Sequence, residues 1–381
     1  MHAIYKDGGK KMAKLKCVIM RGGTSKGVFF HENELPENIE ERTKTVLRVL
    51  GSPDKRQIDG LGGADILTSK IAIVGPPSRK DADVDYIFGQ VGITEPIVDW
   101  GTICGNLSAA VGPFAVDEGL VRAREPRTTV KVFCKNVGKY LSLEFETCAG
   151  KAVYEGNYAI DGVPGTGSKI SLDYSDTAGI LTGSLLPTGN RKDVLEIKNI
   201  GPIEATIIDV STPVVFIRAR DLGLTGTETA REMDADRKLI ESLEHIRLEA
   251  ARIVGLEGKS AFMPMLALVQ EPVPWTNFIT GEPMRPEGVT IMSKVYAAGM
   301  MHKAYPGTGC VTTGVAAKLK GSIVDEFVSP EDKDNETVII GHFSGVISVD
   351  VRCCDEGGIF ELEKAIMYRT ARRIMEGYVY V

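Results

Sequence analysis

The apolar positions of the chain fall into short runs separated by polar turns rich in glycine, a pattern that predicts strands with a few helices. Cys17-Val18-Ile19-Met20 leads through Arg21-Gly22-Gly23-Thr24-Ser25-Lys26-Gly27 to Val28-Phe29-Phe30, which reads as strand, turn, strand. Ile39, Val46, Leu47 and Leu50 recur near helical spacing after Pro36 and stop at Gly51, so a helix is expected there. Ile66-Leu67, Lys70 to Val74 and Val84 to Phe88 read as strands. Leu107 to Val116 reads as a buried helix of small residues, and 131–133 with 141–145 as a hairpin.

The second half repeats this order. Ile207-Ile208 and Pro213 to Ile217 mirror the opening strands, and Arg231 to Val254 is the strongest helical pattern, with Leu239, Leu243, Ile246, Ala250 and Ile253 on one face. Strands are expected at Pro264 to Val269, Ser293 to Tyr296, Val338 to Ile340 and Val346 to Val351, with a small-residue helix at Cys310 to Leu319 and a final helix at Phe360 to Met375. Two short matches tie the halves together: Gly101-Thr102-Ile103-Cys104 with Gly307-Thr308-Gly309-Cys310, and Ser69-Lys70 with Ser293-Lys294. A repeat of about half the chain means two similar domains rather than a solenoid. The Gly/Pro-rich stretch from Asp161 to Asn190 is the expected crossover, giving domains at 16–185 and 186–381, with the final helix able to cross back.

Composition narrows the class. A length of 381 residues suggests two or three domains and leaves ample room for an apolar core. The formal charge of −6 argues against a nucleic-acid or anionic-membrane partner. Seven cysteines without C-x-x-C spacing and only five histidines make a zinc site unexpected, and free thiols fit a reducing cytoplasm. Met1 to Lys16 is basic without an apolar core, so a frayed extension rather than a secretory signal is expected, and no apolar run reaches the ~18 residues of a membrane span.

Some positions can carry chemistry. Cys104, in Thr102-Ile103-Cys104-Gly105-Asn106, stands where a helix begins, and unpaired first-turn N–H groups favour a thiolate there; a buried structural cysteine is the alternative. Gly307-Thr308-Gly309 is either a second anion cradle ahead of a helix or an ordinary glycine turn. Lys70, flanked by Ser69 and an apolar strand, is either a desolvated base or a lysine reaching out to solvent. The Arg21 to Lys26 turn suits a carboxylate or phosphate but lacks Walker spacing. No G-x-G-x-x-G lies between a strand and a helix, so no nucleotide, metal or other cofactor is expected. His302 fits a core position at least as well as a contact to a ligand.

The stretches Met20 to Phe30, Gly62-Gly63-Ala64 with Thr68-Ser69-Lys70, Asp83 to Tyr86, Cys104 to Gly112, Leu186 to Asn190 and Met301 to Ala304 together resemble the PrpF family over nearly the whole chain. The resemblance implies an α/β (α+β) fold of diaminopimelate-epimerase type: two similar, pseudo-symmetric domains, each a curled sheet around a central helix. It implies a cofactor-independent isomerase that moves a proton, and with it a double bond, in a small unsaturated di- or tricarboxylate. Family activities are 2-methylaconitate cis-trans isomerisation, 4-oxalomesaconate tautomerisation and 3-methylitaconate Δ-isomerisation, and the wording around Gly63 to Lys70 is most similar to the last. Lys70 and Cys104 are implied as the catalytic pair. Arg21, Thr24, Ser25, Lys26, Ser69, Gly105, Asn106, Lys294, His302, Thr308 and Gly309 are the expected substrate contacts, and a homo-oligomer is expected. Where two-thiol epimerases carry a second cysteine before Gly-Thr-Gly, this chain has Pro306, so Cys310 does not inherit that role. A carboxylate-binding protein without catalysis is the rival from another class.

Overall fold

The short apolar runs pair into ladders, some alternating in burial, as at Lys139–Cys148, and some buried throughout, as at Lys70–Gly75, Thr212–Arg218 and Ile291–Ala297. The computed structural model describes residues 5–7, 10–198, 200–259, 262–356 and 359–381. Contacts divide the chain into unit 1 (Met1–Ala159, Gly165–Leu172 and Arg369–Val381) and unit 2 (Ile160–Pro164 and Asp173–Tyr368). Of the expected frayed leader, 5–7 pair antiparallel with 10–12, and 1–4 and 8–9 lie outside the described residues.

Unit 1 contains β1 (Lys14–Gly22), β2 (Ser25–His31), α1 (Ile39–Leu50), β3 (Lys70–Gly75), β4 (Val84–Val91), α2 (Gly105–Ser108), α3 (Val111–Asp117), β5 (Arg127–Cys134) and β6 (Lys139–Cys148). Successive pairings run antiparallel, parallel, antiparallel, parallel, antiparallel from β1 to β6. Asn38 caps α1 by accepting from the N–H groups of Glu40 and Glu41, and Gly51 ends it in the left-handed region. Val46, Val49 and Leu50 of α1 pack on Val28, Phe30, Ile71 and Ile73 of the sheet. Each fully buried side chain of this size contributes roughly 1.5–3 kcal/mol.

Unit 2 contains β7 (Asp193–Ile197), β8 (Gly201–Val210), β9 (Thr212–Arg218), α4 (Ala230–Ala235), α5 (Arg237–Ile253), β10 (Met265–Gln270), β11 (Ile291–Ala297), α6 (Gly307–Lys318), β12 (Thr337–His342) and β13 (Gly345–Glu356). From β8 to β13 the pairings repeat the sequence antiparallel, parallel, antiparallel, parallel, antiparallel. Leu239, Leu243, Ile246 and Ala250 of α5 pack on Ile207, Val215, Leu266 and Leu268. The helix α6 is buried along its length from Gly307 to Ala317, with strands of the sheet packed around it.

Several expectations are corrected. Residues 360–375 are not a helix: β14 (Ile359–Arg369) pairs with β13, and β15 (Ala371–Tyr380) pairs with β1. The helix formers Glu, Leu, Lys and Ala in β14 are overridden by pairing, and burial alternates at Ala365, Met367 and Arg369. The Arg231–Val254 helix breaks at Asp236, whose carboxylate caps α5 on the N–H groups of Lys238 and Leu239. The Leu107–Val116 helix is the two pieces α2 and α3, and Ile66-Leu67 is a turn.

The two short repeat matches also shift. Cys104 caps α2 and Pro306 caps α6, so Gly101–Cys104 precedes its helix while Gly307–Cys310 is the first turn of the other. Gly112 and Gly314 support this register. A Cβ on Gly112 would lie 2.6 Å from Phe145 of β6, and one on Gly314 would lie 2.3 Å from Val349 of β13, so each helix touches the corresponding strand at the same step. Lys70 opens β3, whereas Lys294 lies in β11, which corresponds to β4; the two Ser-Lys pairs are not equivalent.

Candidate active site

Cys104 is the N-cap of α2. Its Sγ accepts the Leu107 N–H at 3.4 Å and lies 3.8 Å from Ser25 Oγ. Its carbonyl accepts the Ser108 hydroxyl at 2.8 Å, and the residue is buried. With only four residues in α2, the favourable environment of the sulfur is the local set of first-turn N–H groups rather than a long helix dipole.

Lys70 sits one strand away. It pairs in register with Gly27 of β2, where an added Cβ would come within 2.9 Å of the Lys70 carbonyl and 3.0 Å of Leu107 Cδ2. Gly27 is thus the narrow spacer between the lysine strand and the helix that Cys104 caps. Lys70 is 7% exposed, and its Nζ donates to Gln90 Oε1 at 2.6 Å and lies 5.3 Å from the Phe88 ring centroid. The Gln90 amide is itself fixed, because its Nε2 donates to the carbonyls of Ser69 (3.1 Å) and Ile66 (3.3 Å). Ser69 turns its hydroxyl to Gln57 Oε1 at 2.7 Å, an oxygen that also accepts the Ala64 N–H.

The glycine turn lies against α2. Arg21 Nη1 donates to the carbonyls of Gly23 (2.8 Å) and Thr370 (3.0 Å), and burial together with the nearby Arg372 charge lowers its pKa. Asn106 Oδ1 accepts the Thr24 N–H at 3.4 Å and Arg369 Nε at 2.9 Å. Gly23 has φ +50, and a Cβ there would fall 2.2 Å from Asn106 Oδ1, so both its conformation and its lack of a side chain are required. Thr24 Oγ1 is buried without a hydrogen-bond partner, and Lys26 is half-buried. Among the described residues, no carboxylate forms an ion pair with Arg21, Lys26 or Lys70.

The unit 2 candidates have other surroundings. Lys294 Nζ donates to the carbonyls of Gly226 (2.7 Å) and Glu228 (2.6 Å), and burial pushes its pKa down to about 8 although the Glu228 carboxylate, 3.9 Å away, works the other way. His302 is buried and its backbone N–H donates to the Val295 carbonyl. Thr308 and Gly309 form the first turn of α6, and the Thr308 carbonyl accepts from Ser211 and Thr312 hydroxyls. Cys310 is fully buried. Laying the ladders of the two units together puts Met265 at the place of Lys70, since Gly27 faces Lys70 as Val214 faces Met265. Pro306 holds the place of Cys104. A cavity of about 750 Å³ beside α5 holds none of the expected residues, and its Arg247 and Glu244 already pair at 2.6 Å.

Gln90 and Arg369 escaped the reading of the sequence. Gln90 is visible only once β4 is laid against β3, and Arg369 is 263 positions from the residue it touches.

The model of the PrpF protein family matches residues 12–381. The chain belongs to the PrpF family. Among its relatives, the 3-methylitaconate isomerase of Eubacterium barkeri is 47% identical, with 97% of each chain covered. The 2-methyl-aconitate isomerase of Shewanella oneidensis is 38% identical, again with 97% of each covered. A crystal structure of methylitaconate-delta-isomerase aligns with TM-score 0.81 and 47% identity over 97% of this chain and 96% of that one. A hydroxyproline epimerase from Agrobacterium vitis, 11% identical, aligns with TM-score 0.56 over 97% of this chain and 93% of that one, a likeness of fold alone. The fold of this PrpF protein is of diaminopimelate-epimerase type. No helix among the described residues is long and apolar enough to cross a membrane.

Proposed function

We propose that this PrpF protein is a cofactor-independent isomerase that interconverts methylitaconate and dimethylmaleate by 1,3-proton transfer, with Lys70 and Cys104 as the acid-base pair. The supporting observation is the state of Lys70: a buried amine held by an amide oxygen and by no carboxylate, in the same unit as a cysteine at a helix start. An amide oxygen orients the amine without the ion pair that a carboxylate would form with it. The 47% identity to a 3-methylitaconate isomerase supports the choice of substrate.

One of the pair removes the proton from the methyl-bearing carbon next to a carboxylate. The electron pair left behind spreads through the adjacent C=C bond and onto carboxylate oxygens. Delivery of a proton to the terminal methylene carbon makes a methyl group, and the double bond ends between the two carboxylate-bearing carbons. The positive charges of Arg21 and Lys26, with Gly105, Asn106, Thr24 and Ser25, stabilise the carboxylates and the delocalised negative charge. Ser69, through its bond to Gln57, holds the turn that leads into Lys70 and β3. In unit 2 the turn at Thr308 and Gly309 is proposed as a carboxylate cradle, with Lys294 and His302 as supports of its surroundings. Seven unbridged cysteines support a cytoplasmic location. The exposed Ile374, Met375, Tyr378 and Tyr380 of β15 support assembly with further copies.

Proton NMR of methylitaconate with the enzyme in deuterated buffer tests the reading. Dimethylmaleate carrying deuterium in the new methyl group is the expected product. Turnover of only a methylaconitate or an oxalomesaconate would move the assignment to those reactions, and no turnover of any of the three would leave a carboxylate-binding protein.

A further inference from the structure

Asn106 is 2% exposed, and its side chain accepts two hydrogen bonds on one atom, Oδ1. The donors are a backbone N–H and an arginine Nε, neither of which can accept, so chemistry fixes which end of the amide is oxygen. Arg369 is itself buried, 5% exposed, and its planar guanidinium leaves the amide little freedom to flip. The Gly22-Gly23 turn closes the same side: a Cβ on Gly23 would be 2.2 Å from Asn106 Oδ1. With Oδ1 held in this way, Nδ2 keeps its hydrogens for another acceptor, two residues along the chain from the Cys104 sulfur.

We infer that Arg369 is a positioning residue for the isomerisation: through Asn106 Oδ1 it aims the Asn106 Nδ2–H at the negative charge that develops on the substrate. This rests on the isomerase reading, in which substrate lies beside Cys104. Arg369 does not touch the substrate in this account; its effect on turnover passes through the Asn106 carboxamide. Developing charge is what the donor meets, so the interaction strengthens in the transition state and appears in kcat more than in KM.

The test compares Asn106→Asp, Asn106→Ala, Arg369→Gln, Arg369→Lys and the double variant Asn106→Ala/Arg369→Gln, with folding followed by circular dichroism. Asn106→Asp keeps an acceptor for Arg369 but offers no N–H, so it should remain folded and lose about 100–1,000-fold in kcat, the usual cost of one such donor. Arg369→Gln should lose roughly 10–100-fold in kcat with KM changed less than threefold, and Arg369→Lys should recover part of that loss. The double variant should be no slower than Asn106→Ala alone, because without the carboxamide the arginine has no N–H donor to aim at the substrate. An Asn106→Asp enzyme within fivefold of wild type, losses that multiply in the double variant, or an Arg369→Gln effect confined to KM would each overturn the inference. Arg369→Gln failing to fold leaves Asn106→Asp to decide it. An inactive wild-type enzyme would instead overturn the isomerase reading, a distinct outcome.

Discussion

Lys70 and Gln90 face each other across the β3–β4 ladder, and a 2.6 Å hydrogen bond joins the lysine nitrogen to the glutamine oxygen. In unit 2 the corresponding ladder carries Met265, and Ala297 lies one step past the Leu266–Tyr296 pair. One half of a repeated fold therefore holds the polar pair, and the other fills the same places with apolar side chains.

Removing either member should separate chemistry from support. Lys70→Ala is expected to lose at least about 1,000-fold in kcat on methylitaconate, as for loss of a general base or acid. Gln90→Leu leaves the amine in place but frees it, and a 10–100-fold loss is expected. Steady-state kinetics of the two variants check this; a Gln90→Leu enzyme slower than Lys70→Ala would contradict it.

Cys104→Ser should lose several orders of magnitude, because a hydroxyl is a far weaker acid than a thiol and a poor substitute in proton transfer. Cys310→Ala removes a fully buried sulfur from α6 and should act on stability, by about 1–2 kcal/mol, with most of the rate retained. Urea midpoints and turnover measured on the same preparations distinguish the two effects.

Glu118 should contribute to stability against acid. Burial alone would raise its pKa, but hydrogen bonds from Lys16 (2.8 Å), Arg373 (2.5 Å) and His31 (3.2 Å) more than offset that and lower it to about 2. The native state therefore binds fewer protons than the unfolded chain between pH 4.5 and 2. This contribution, roughly 2 kcal/mol, is present in full above pH 4.5 and is lost as pH falls towards 2. Glu118→Gln should be less stable at pH 7 and should lose less stability on acidification. Urea melts at pH 7 and pH 3 measure the difference, and parallel losses in the two proteins would count against it.

Gly112→Ala and Gly314→Ala should destabilise the two units by similar amounts, about 1–3 kcal/mol each, since both place a methyl inside contact distance of a strand side chain. Thermal melts of each variant test the equivalence; a neutral Gly112→Ala would show that Phe145 yields.

The opening strands, α1 with its glycine stop, and the turn at Gly22-Gly23 could be read in the sequence because local alternation and helix-end chemistry determine them. β14 could not: Glu361, Glu363 and Lys364 favour a helix, and it is strand pairing, with β13 above all, that makes the segment a strand. The repeat was legible in its order of elements, but Ser69-Lys70 and Ser293-Lys294 suggested an equivalence that the ladders do not have. Cys104 at a helix start was legible for the same reason as α1. The fixing of Lys70 by Gln90, and of Asn106 by Arg369, depends on partners brought together by the sheet and carries no local signal.

Strand β15 lies beside β1, although all of Asp173–Tyr368 comes between them in the chain. During synthesis, unit 2 has most of its residues available before unit 1 can close its ladder. A ribosome that has passed residue 160 has released the lysine and the cysteine but neither Arg369 nor the strand that covers β1. The nascent β1 keeps an open sheet edge until residues 371–380 have been made, and Asn106 waits equally long for Arg369.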